Sequence, residues 1–222
     1  LKDLKRYDEA LVSYDEALRI NPNYADIHNN RGSVLKNLKN YNEALASYEK
    51  ALQIKPDHSY AHNNKGNTLK DLKRYNEAIE SYDEALQINP NYADAYNNKG
   101  NALKDLKRYE EALASYDKAI KINPNFADTY NNKGNALKDL KRYDEALSNY
   151  EKVVKLKLDF DYILGKVLHT NMILCSWNNF DSLSKKISKA LNKNSKVIEP
   201  FSFLGLIDNP GASKLSSEIF VK

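Results

Sequence analysis

Composition and charge exclude several classes of function at the outset. The chain has 222 residues, of which 41% are hydrophobic, and its formal net charge is +4. Residues 1–160 carry 26 basic and 25 acidic side chains with the signs interspersed, which indicates a solvated surface and not a nucleic-acid-binding face. No apolar run approaches the ~20 residues of a membrane span. The single cysteine, Cys175, excludes an internal disulfide, favours a reducing, cytoplasmic location and is predicted to be a buried structural thiol.

A spacing of 34 residues organises the chain up to residue 160. It is shown by Gly32, Gly66, Gly100 and Gly134, and by Pro22, Pro56, Pro90 and Pro124. A fixed period of this length indicates stacked helix-turn-helix units. We therefore predict a partial repeat at 1–24, full repeats at 25–58, 59–92, 93–126 and 127–160, and a different segment at 161–222. The partial repeat starts at its eleventh position, so we expect a fragment of a longer array.

Each repeat has the pattern of two amphipathic helices. Small and apolar residues recur at steps of three or four, and a proline ends the second helix because it lacks an N–H group. The repeat 127–160 has Leu158 in place of the proline, so its second helix is expected to run on or to leave differently. Gly100 lies in the middle of the first helix, where glycine costs about 1 kcal/mol relative to alanine. We expect a close approach of the second helix to compensate, with the small side chains of Ala112 and Ala119 opposite the glycine.

This pattern resembles the tetratricopeptide repeat family. In the third full repeat it consists of Gly100, Tyr109, Ala112, Tyr116, Ala119 and Pro124. The resemblance implies an all-α fold, a right-handed superhelix (α-solenoid) of antiparallel helix pairs with an irregular helical C-terminal segment. One departure is a basic residue where the family usually has leucine before the glycine, at Arg31, Lys65, Lys99 and Lys133. The aliphatic stem of a basic side chain can cover the same surface.

Asparagines on the first helix are the candidate site. They recur in register at Asn29, Asn30, Asn63, Asn64, Asn97, Asn98, Asn131 and Asn132, and one turn later at Ser33, Asn67, Asn101 and Asn135. The family resemblance implies that first helices line a concave groove, so these amides would form a ladder along it. An amide has a donor and an acceptor and can pair with a peptide backbone of loose sequence. The alternative is that the amides bond between neighbouring units or are solvated.

Charged residues flank this ladder. Lys36, Lys70, Lys104 and Lys138 are predicted to provide mixed charge beside the groove or a solvated ridge. A strict carboxylate clamp is not expected, because the positions that would need a basic residue hold Asp26, Tyr60, Asp94 and Asp128.

Other motifs favour structural roles. Lys-Arg pairs at 5–6, 73–74, 107–108 and 141–142 would form a stripe on the turns, but nearby carboxylates such as Glu111 and Glu145 favour surface ion pairs over phosphate binding. His58 and His62 are four residues apart, but His58 lies in the turn after Pro56, and His62 and His28 occupy the position of Tyr96 and Tyr130, so packing is favoured over a metal site. The sequence has no phosphate loop, no Cys-x-x-Cys and no nucleophile elbow, so we predict no cofactor and no catalysis by this chain.

The segment 161–222 has a different composition. Ile163, Leu164, Val167 and Leu168 have helical spacing, as do Leu183, Ile187, Ala190 and Leu191, and the turn between them begins at Trp177. They predict an irregular fifth pair. An extended or irregular run and a last helix after Asp208 should follow, and because that end is apolar we expect more protein beyond it.

A second resemblance concerns this segment. His169, Cys175–Asp181, Val197–Phe201 and Leu204 are similar to the junction between repeats and catalytic half in O-GlcNAc transferase-like proteins of glycosyltransferase family 41. It implies that the chain is the substrate-recognition arm of such an enzyme, whose catalytic residues have no counterpart here. The leading prediction is a scaffold that binds a protein or extended peptide, with no nucleic acid or membrane as partner and possible end-to-end self-association.

Overall fold

A computed structural model describes residues 2–156, 162–177 and 180–191. The described secondary structure consists of helices: α1 (Lys2–Ile20), α2 (Ala25–Asn37), α3 (Tyr41–Ile54), α4 (Ser59–Asp71), α5 (Tyr75–Ile88), α6 (Ala93–Asp105), α7 (Tyr109–Ile122), α8 (Ala127–Asp139), α9 (Tyr143–Leu156), α10 (Ile163–Ile173) and α11 (Phe180–Leu191). The all-α class is confirmed. The chain divides into two compact units between Ile122 and Asn123, so that α1–α7 belong to the first and α8–α11 to the second.

Consecutive helices pack in pairs. In the first unit, α2 packs on α3, α4 on α5 and α6 on α7, and in the second unit α8 packs on α9 and α10 on both α9 and α11. The antiparallel pairing is therefore confirmed within each unit. Among the helices described, none is both long and apolar enough to traverse a lipid bilayer.

The second helices end where the sequence predicts. Helix α5 ends at Ile88 and α7 at Ile122, one residue before the Asn-Pro dipeptides at 89–90 and 123–124. Proline disfavours the α region for the residue before it, which explains why both helices end there.

A lysine closes each first helix in a left-handed conformation. Lys39, Lys73, Lys107 and Lys141 have φ of 63°, 61°, 61° and 60°. At α6 the Lys107 N–H donates to the Lys104 carbonyl at 2.8 Å, and the Arg108 N–H donates to the Leu103 carbonyl at 2.9 Å. This bond pair is the Schellman motif, in which glycine is the usual residue because it has no Cβ to strain the left-handed backbone.

Replacing Lys107 by glycine should therefore stabilise the protein. Relief of the left-handed strain is expected to raise the free energy of unfolding by about 1 kcal/mol. Urea denaturation followed by far-ultraviolet circular dichroism measures it. Lys104→Gly is the matched control, because the same change inside α6 should lower stability by about 1 kcal/mol. Loss of stability in Lys107→Gly would contradict the strain argument.

The core of the pairs α2–α3, α4–α5, α6–α7 and α8–α9 contains a tyrosine packed on a glycine. Tyr48, Tyr82, Tyr116 and Tyr150 are fully buried. A Cβ built on Gly100 would lie 2.5 Å from Cε1 of Tyr116, and the three atoms nearest to it all belong to that ring. The predicted close approach is confirmed, and the group nearest to the glycine is the tyrosine ring, which was not predicted; the place of Ala112 and Ala119 opposite the glycine stays a prediction. The ring points back along α7 and reaches the first helix, which spacing alone does not reveal.

Helix α1 differs from the predicted partial repeat. A turn was expected at Lys5-Arg6, as at the other Lys-Arg pairs, but α1 runs without a break from Lys2 to Ile20. Continuing the helix adds a backbone hydrogen bond per residue, whereas a turn there would place a lysine in the left-handed region at a cost of about 1–2 kcal/mol. The basic stripe therefore does not extend to residues 5–6 as a turn feature.

Helices α10 and α11 form the predicted fifth pair. Cys175, predicted to be buried, is exposed and has φ of 50°. It stands 34 residues after Lys141 and closes α10 by donating its N–H to the Met172 carbonyl at 3.1 Å. Its side chain is exposed because it occupies the same turn position as the lysines. The expectations for Leu158, for Asn178-Asn179 and for everything after residue 191 lie outside the described residues.

Candidate functional site

The first helices of the first unit share one face. Helix α2 contacts α4, and α4 contacts α6, in addition to the contacts each makes with its own second helix. Side chains link these helices directly: the Asn64 Nδ2 donates to the Asn29 Oδ1 at 3.0 Å, and the Asn98 Nδ2 donates to the Asn63 Oδ1 at 3.1 Å. We call the surface formed by the asparagines of α2, α4 and α6 the amide face.

The two asparagines of each repeat have different roles on this face. Asn29 and Asn63 are buried, at 8% and 4% exposure, and accept hydrogen bonds from the next repeat. Asn64 and Asn98 are half-buried and donate those bonds. The amide ladder is therefore part of the contact between repeats, one of the two roles that the sequence left open.

A third series of amides is held by the core tyrosines. In the first unit, the Tyr82 hydroxyl donates to the Asn67 Oδ1 at 2.9 Å and the Tyr116 hydroxyl to the Asn101 Oδ1 at 2.8 Å. In the second unit, the Tyr150 hydroxyl donates to the Asn135 Oδ1 at 3.0 Å. These bonds fix each amide plane with its oxygen toward the core.

Part of the hydrogen-bonding capacity of these amides stays unused. Within the described chain, the Oδ1 atoms of Asn64 and Asn98 accept no hydrogen bond, and the Nδ2 groups of Asn67 and Asn101 donate none. All four side chains are half-buried and held by neighbours. The amide face thus presents fixed acceptors and fixed donors one helical turn apart.

Because the core tyrosines are buried, the free energy of unfolding is expected to change with pH in the alkaline range. Burial, with a smaller contribution from the charge of Asp105, raises the pKa of Tyr116. A phenol whose pKa is raised by folding stabilises the fold below the unfolded pKa of about 10, and this contribution is lost as pH rises through the folded pKa. We expect unfolding free energy to fall above about pH 10, and the fall to be shallower in Tyr116→Phe. Urea titrations across that range measure the slope, and an identical slope in the variant would contradict the assignment.

The series continues in the second unit with a different residue. Lys166 stands 34 residues after Asn132, and its Nζ donates to the Asn131 Oδ1 at 2.6 Å and to the Asn135 Oδ1 at 3.1 Å. It makes the same kind of bond to the preceding repeat as Asn64 and Asn98. Lys166 was not among the predicted site residues, although the 34-residue spacing, extended past residue 160, indicates it.

Ion pairs join neighbouring repeats beside the amide face. The Lys36 Nζ lies 3.1 Å from the Asp71 Oδ2, so this part of the predicted flank consists of paired charges. The basic residue before the glycine reaches back to the preceding second helix, as in the pairs Arg31–Asp15 at 2.8 Å, Lys65–Glu49 at 3.6 Å and Lys99–Asp83 at 2.5 Å. These pairs explain why a basic residue can replace the usual leucine.

The basic stripe is paired with carboxylates. Arg74 with Glu77, Arg108 with Glu111 and Arg142 with Glu145 form ion pairs of 2.6–2.7 Å at the starts of α5, α7 and α9. The hydrogen bond from Arg108 lowers the pKa of Glu111. The preference for surface pairing over phosphate binding is in line with this geometry.

His58 and His62 bond to protein groups. The His58 Nε2 lies 3.0 Å from the Asp26 Oδ1, and the His62 Nε2 lies 2.9 Å from the Pro56 carbonyl oxygen. Within the described ranges, no group of three histidine, cysteine or acidic side chains is arranged to hold a metal ion.

The fold and the repeated face define a helical-repeat protein, and sequence comparison gives its family. Models of the tetratricopeptide repeat match residues 25–58, 93–126 and 127–160, residues 1–39 and 66–107, and residues 47–80. Together they cover residues 1–160, so the chain belongs to the tetratricopeptide repeat family. No curated protein matches the chain significantly.

Solved structures share this fold. Pseudomonas aeruginosa PilF aligns with a TM-score of 0.73 at 22% identity over 85% of this chain and 84% of its own. YrrB, described as a TPR protein with an unusual peptide-binding site, aligns with a TM-score of 0.62 at 20% identity, over 92% of this chain and 97% of its own. MamA from Desulfovibrio magneticus RS-1 aligns with a TM-score of 0.63 at 25% identity, over 72% of this chain and 92% of its own. The glycosyltransferase junction, the cytoplasmic location and end-to-end association stay predictions.

Proposed function

We propose that the chain is a scaffold that binds an extended peptide along the amide face and catalyses no reaction itself. The observation that carries this proposal is the unused hydrogen-bonding capacity of Asn64, Asn98, Asn67 and Asn101. A peptide backbone offers alternating donors and acceptors, which complement amide oxygens and amide N–H groups irrespective of the peptide's side chains.

Preorganisation supports the same function. Asn98 is held by Asn63, and Asn101 is held by the buried Tyr116. Side chains already fixed by the fold lose little conformational entropy on binding, so more of each hydrogen bond contributes to affinity. The likeness to YrrB, a TPR protein with a peptide-binding site, is in keeping with this role.

The test needs a variant that changes the binding atoms and keeps the fold. Asn101→Asp retains an oxygen that accepts from the Tyr116 hydroxyl but removes the two N–H donors. Peptides are first selected from a displayed random library on the unaltered protein, and their Kd values are then measured by fluorescence anisotropy. We expect about a tenfold rise in Kd, as for loss of one hydrogen bond in a desolvated contact.

Asn76→Asp is the matched control, because it adds the same charge at an exposed position of α5. Its Kd should stay unchanged. Unaltered binding by Asn101→Asp would remove the amides from the mechanism, and a selection that yields no peptide would contradict the function. Asn98→Ala is unsuitable alone, since it strips the donor from the buried Asn63 oxygen and should cost about 1–3 kcal/mol of stability.

A further inference from the structure

Two tyrosine rings meet beside the amide face of the first unit. Tyr60 lies on α4, and Tyr92 directly precedes α6. Their ring centres are 5.2 Å apart with 63° between the ring planes. Tyr60 is 57% exposed and Tyr92 is half-buried. Because residues four apart share one side of a helix, Tyr60 lies beside Asn64. We call the two rings the aromatic corner.

A carboxylate lies on each side of the aromatic corner. Asp94 is exposed on α6, and burial together with the charges of Asp94 and of Tyr60 raises the pKa of Tyr92 to about 12. On the other side, the Asp26 Oδ1 lies 3.0 Å from the His58 Nε2, and the centre of the His58 ring lies 6.4 Å from that of Tyr60. The corner therefore combines exposed aromatic surface with negative charge.

Within the described chain, no lysine or arginine neutralises these carboxylates. Asp94 forms no ion pair there, and the ion-pair partner of Asp26 is His58. The His58 Nδ1 accepts a hydrogen bond from the Ala61 N–H at 3.4 Å, so the proton of the neutral ring is on Nε2, where it faces Asp26. Both carboxylates thus keep their charge available for a cation that approaches from outside.

We propose that the aromatic corner binds an arginine side chain of the peptide that lies along the amide face. A guanidinium is attracted to the face of a tyrosine ring, and its planar fork of N–H groups matches a carboxylate. Tyr60 offers the exposed ring, and Asp94 offers the carboxylate. A lysine ammonium is a compact, strongly hydrated charge and matches this combination less well. The proposal rests on the proposed function, because the amide face brings the peptide beside Tyr60.

The helix dipole accounts for part of this arrangement but not for the tyrosine. Asp26 and Asp94 lie in the first turns of α2 and α6, where a negative charge is favourable. The dipole is equivalent to about half an elementary charge, so it does not neutralise a full carboxylate charge. The equivalent position of α4 holds Tyr60, and the first turn of α4 has no acidic residue. An exposed ring at this position gains nothing from the dipole.

The probe is a capped pentapeptide with arginine at the centre of four glycines, titrated against the whole chain and followed by NMR. The matched ligand has citrulline at the centre, which keeps the shape of arginine and removes its charge. We expect the citrulline peptide to bind about tenfold more weakly. Equal affinity would overturn the proposal, because the charge would then not be recognised. Capped arginine alone should also bind more weakly, and equal affinity would make this a site for the free amino acid and overturn the proposal too.

Variants of the corner test the ring and the carboxylate separately. Tyr60→Leu keeps an apolar side chain but removes the ring, and it should weaken binding of the arginine peptide about three- to tenfold. Tyr60→Phe keeps the ring and should bind as the unaltered protein does. Asp94→Asn should weaken binding, whereas Glu80→Gln, the matched control at an exposed position of α5, should not. Unchanged binding by Tyr60→Leu, or an equal loss in Tyr60→Phe, would overturn the proposal.

The amide face and the aromatic corner can fail separately. If peptides from the random library bind more weakly to Asn101→Asp but equally well to Tyr60→Leu, the amide function stands and the aromatic corner fails. If the arginine peptide binds through Tyr60 while Asn101→Asp changes nothing, the aromatic corner stands as a separate arginine site and the amide function fails.

Discussion

Replacing Tyr116 by alanine is expected to lower the free energy of unfolding by about 3–5 kcal/mol. The ring is fully buried, and its hydroxyl donates to the Asn101 Oδ1. The variant loses the apolar contacts of the ring, leaves a cavity between α6 and α7, and removes a hydrogen bond from the amide face. Urea denaturation and the thermal midpoint, both followed by circular dichroism, measure the loss.

Tyr24→Ala provides the comparison, because Tyr24 is 47% exposed and packs less closely. Its cost should be within about 0.5 kcal/mol, as for surface substitutions elsewhere. A loss of similar size in both variants would mean that tyrosine content, and not the packing of the core ring, sets stability.

Replacing Gly100 by alanine should also destabilise the protein, by about 1–3 kcal/mol, although alanine is the better helix former. The new Cβ would lie 2.5, 2.8 and 2.9 Å from three atoms of the Tyr116 ring, well inside van der Waals contact. The ring is enclosed on all sides, so it cannot move away without displacing other core atoms. A larger side chain, as in Gly100→Leu, should cost more. Chemical denaturation of both variants gives the order.

A double variant separates the clash from other effects of the substitution. In a Tyr116→Leu background the ring is absent, and Gly100→Ala should then be close to neutral. The coupling energy between the two positions is expected to be about 1–3 kcal/mol. If Gly100→Ala costs the same in both backgrounds, the ring is not what requires the glycine.

Helix positions could be predicted from the sequence because they depend on local patterns. The 34-residue period, the apolar spacing and the Asn-Pro stops indicate each helix, and the structure confirms the ends of α5 and α7 at Ile88 and Ile122. The same patterns could not show that Tyr116 meets Gly100, because that contact depends on the direction of a side chain across two helices.

The hydrogen-bond partners of the amides could not be predicted from the sequence pattern either. Periodicity predicts that Asn64 and Asn67 share a face, but it does not tell which amide atom bonds within the protein and which stays available. The structure shows that Asn64 donates to Asn29 while Asn67 accepts from Tyr82. Peptide binding by the remaining atoms stays a prediction.

The repeat positions that Lys166 and Cys175 occupy after residue 160 were not predicted, for a different reason. The fifth pair lacks the glycine of the four full repeats, and the last proline in register is Pro124, so the period could not be followed through this pair from those residues. Counting 34 residues from Asn132 and Lys141 identifies Lys166 as a member of the ladder and Cys175 as the exposed turn residue.

The glycine–tyrosine contact determines which helix pairs are interchangeable. The pairs at 25–58, 59–92 and 93–126 use the same contact. Deletion or duplication of one 34-residue repeat would therefore leave every remaining glycine packed on its tyrosine. In the fifth pair Leu168 and Ser184 stand at the glycine and tyrosine positions, a reversal of bulk between the two helices. A helix exchanged between this pair and any other would place leucine against tyrosine or glycine against serine. Gain or loss of one repeat upstream of this pair would therefore keep each glycine opposite a tyrosine, whereas the two helices of the fifth pair would have to be exchanged together.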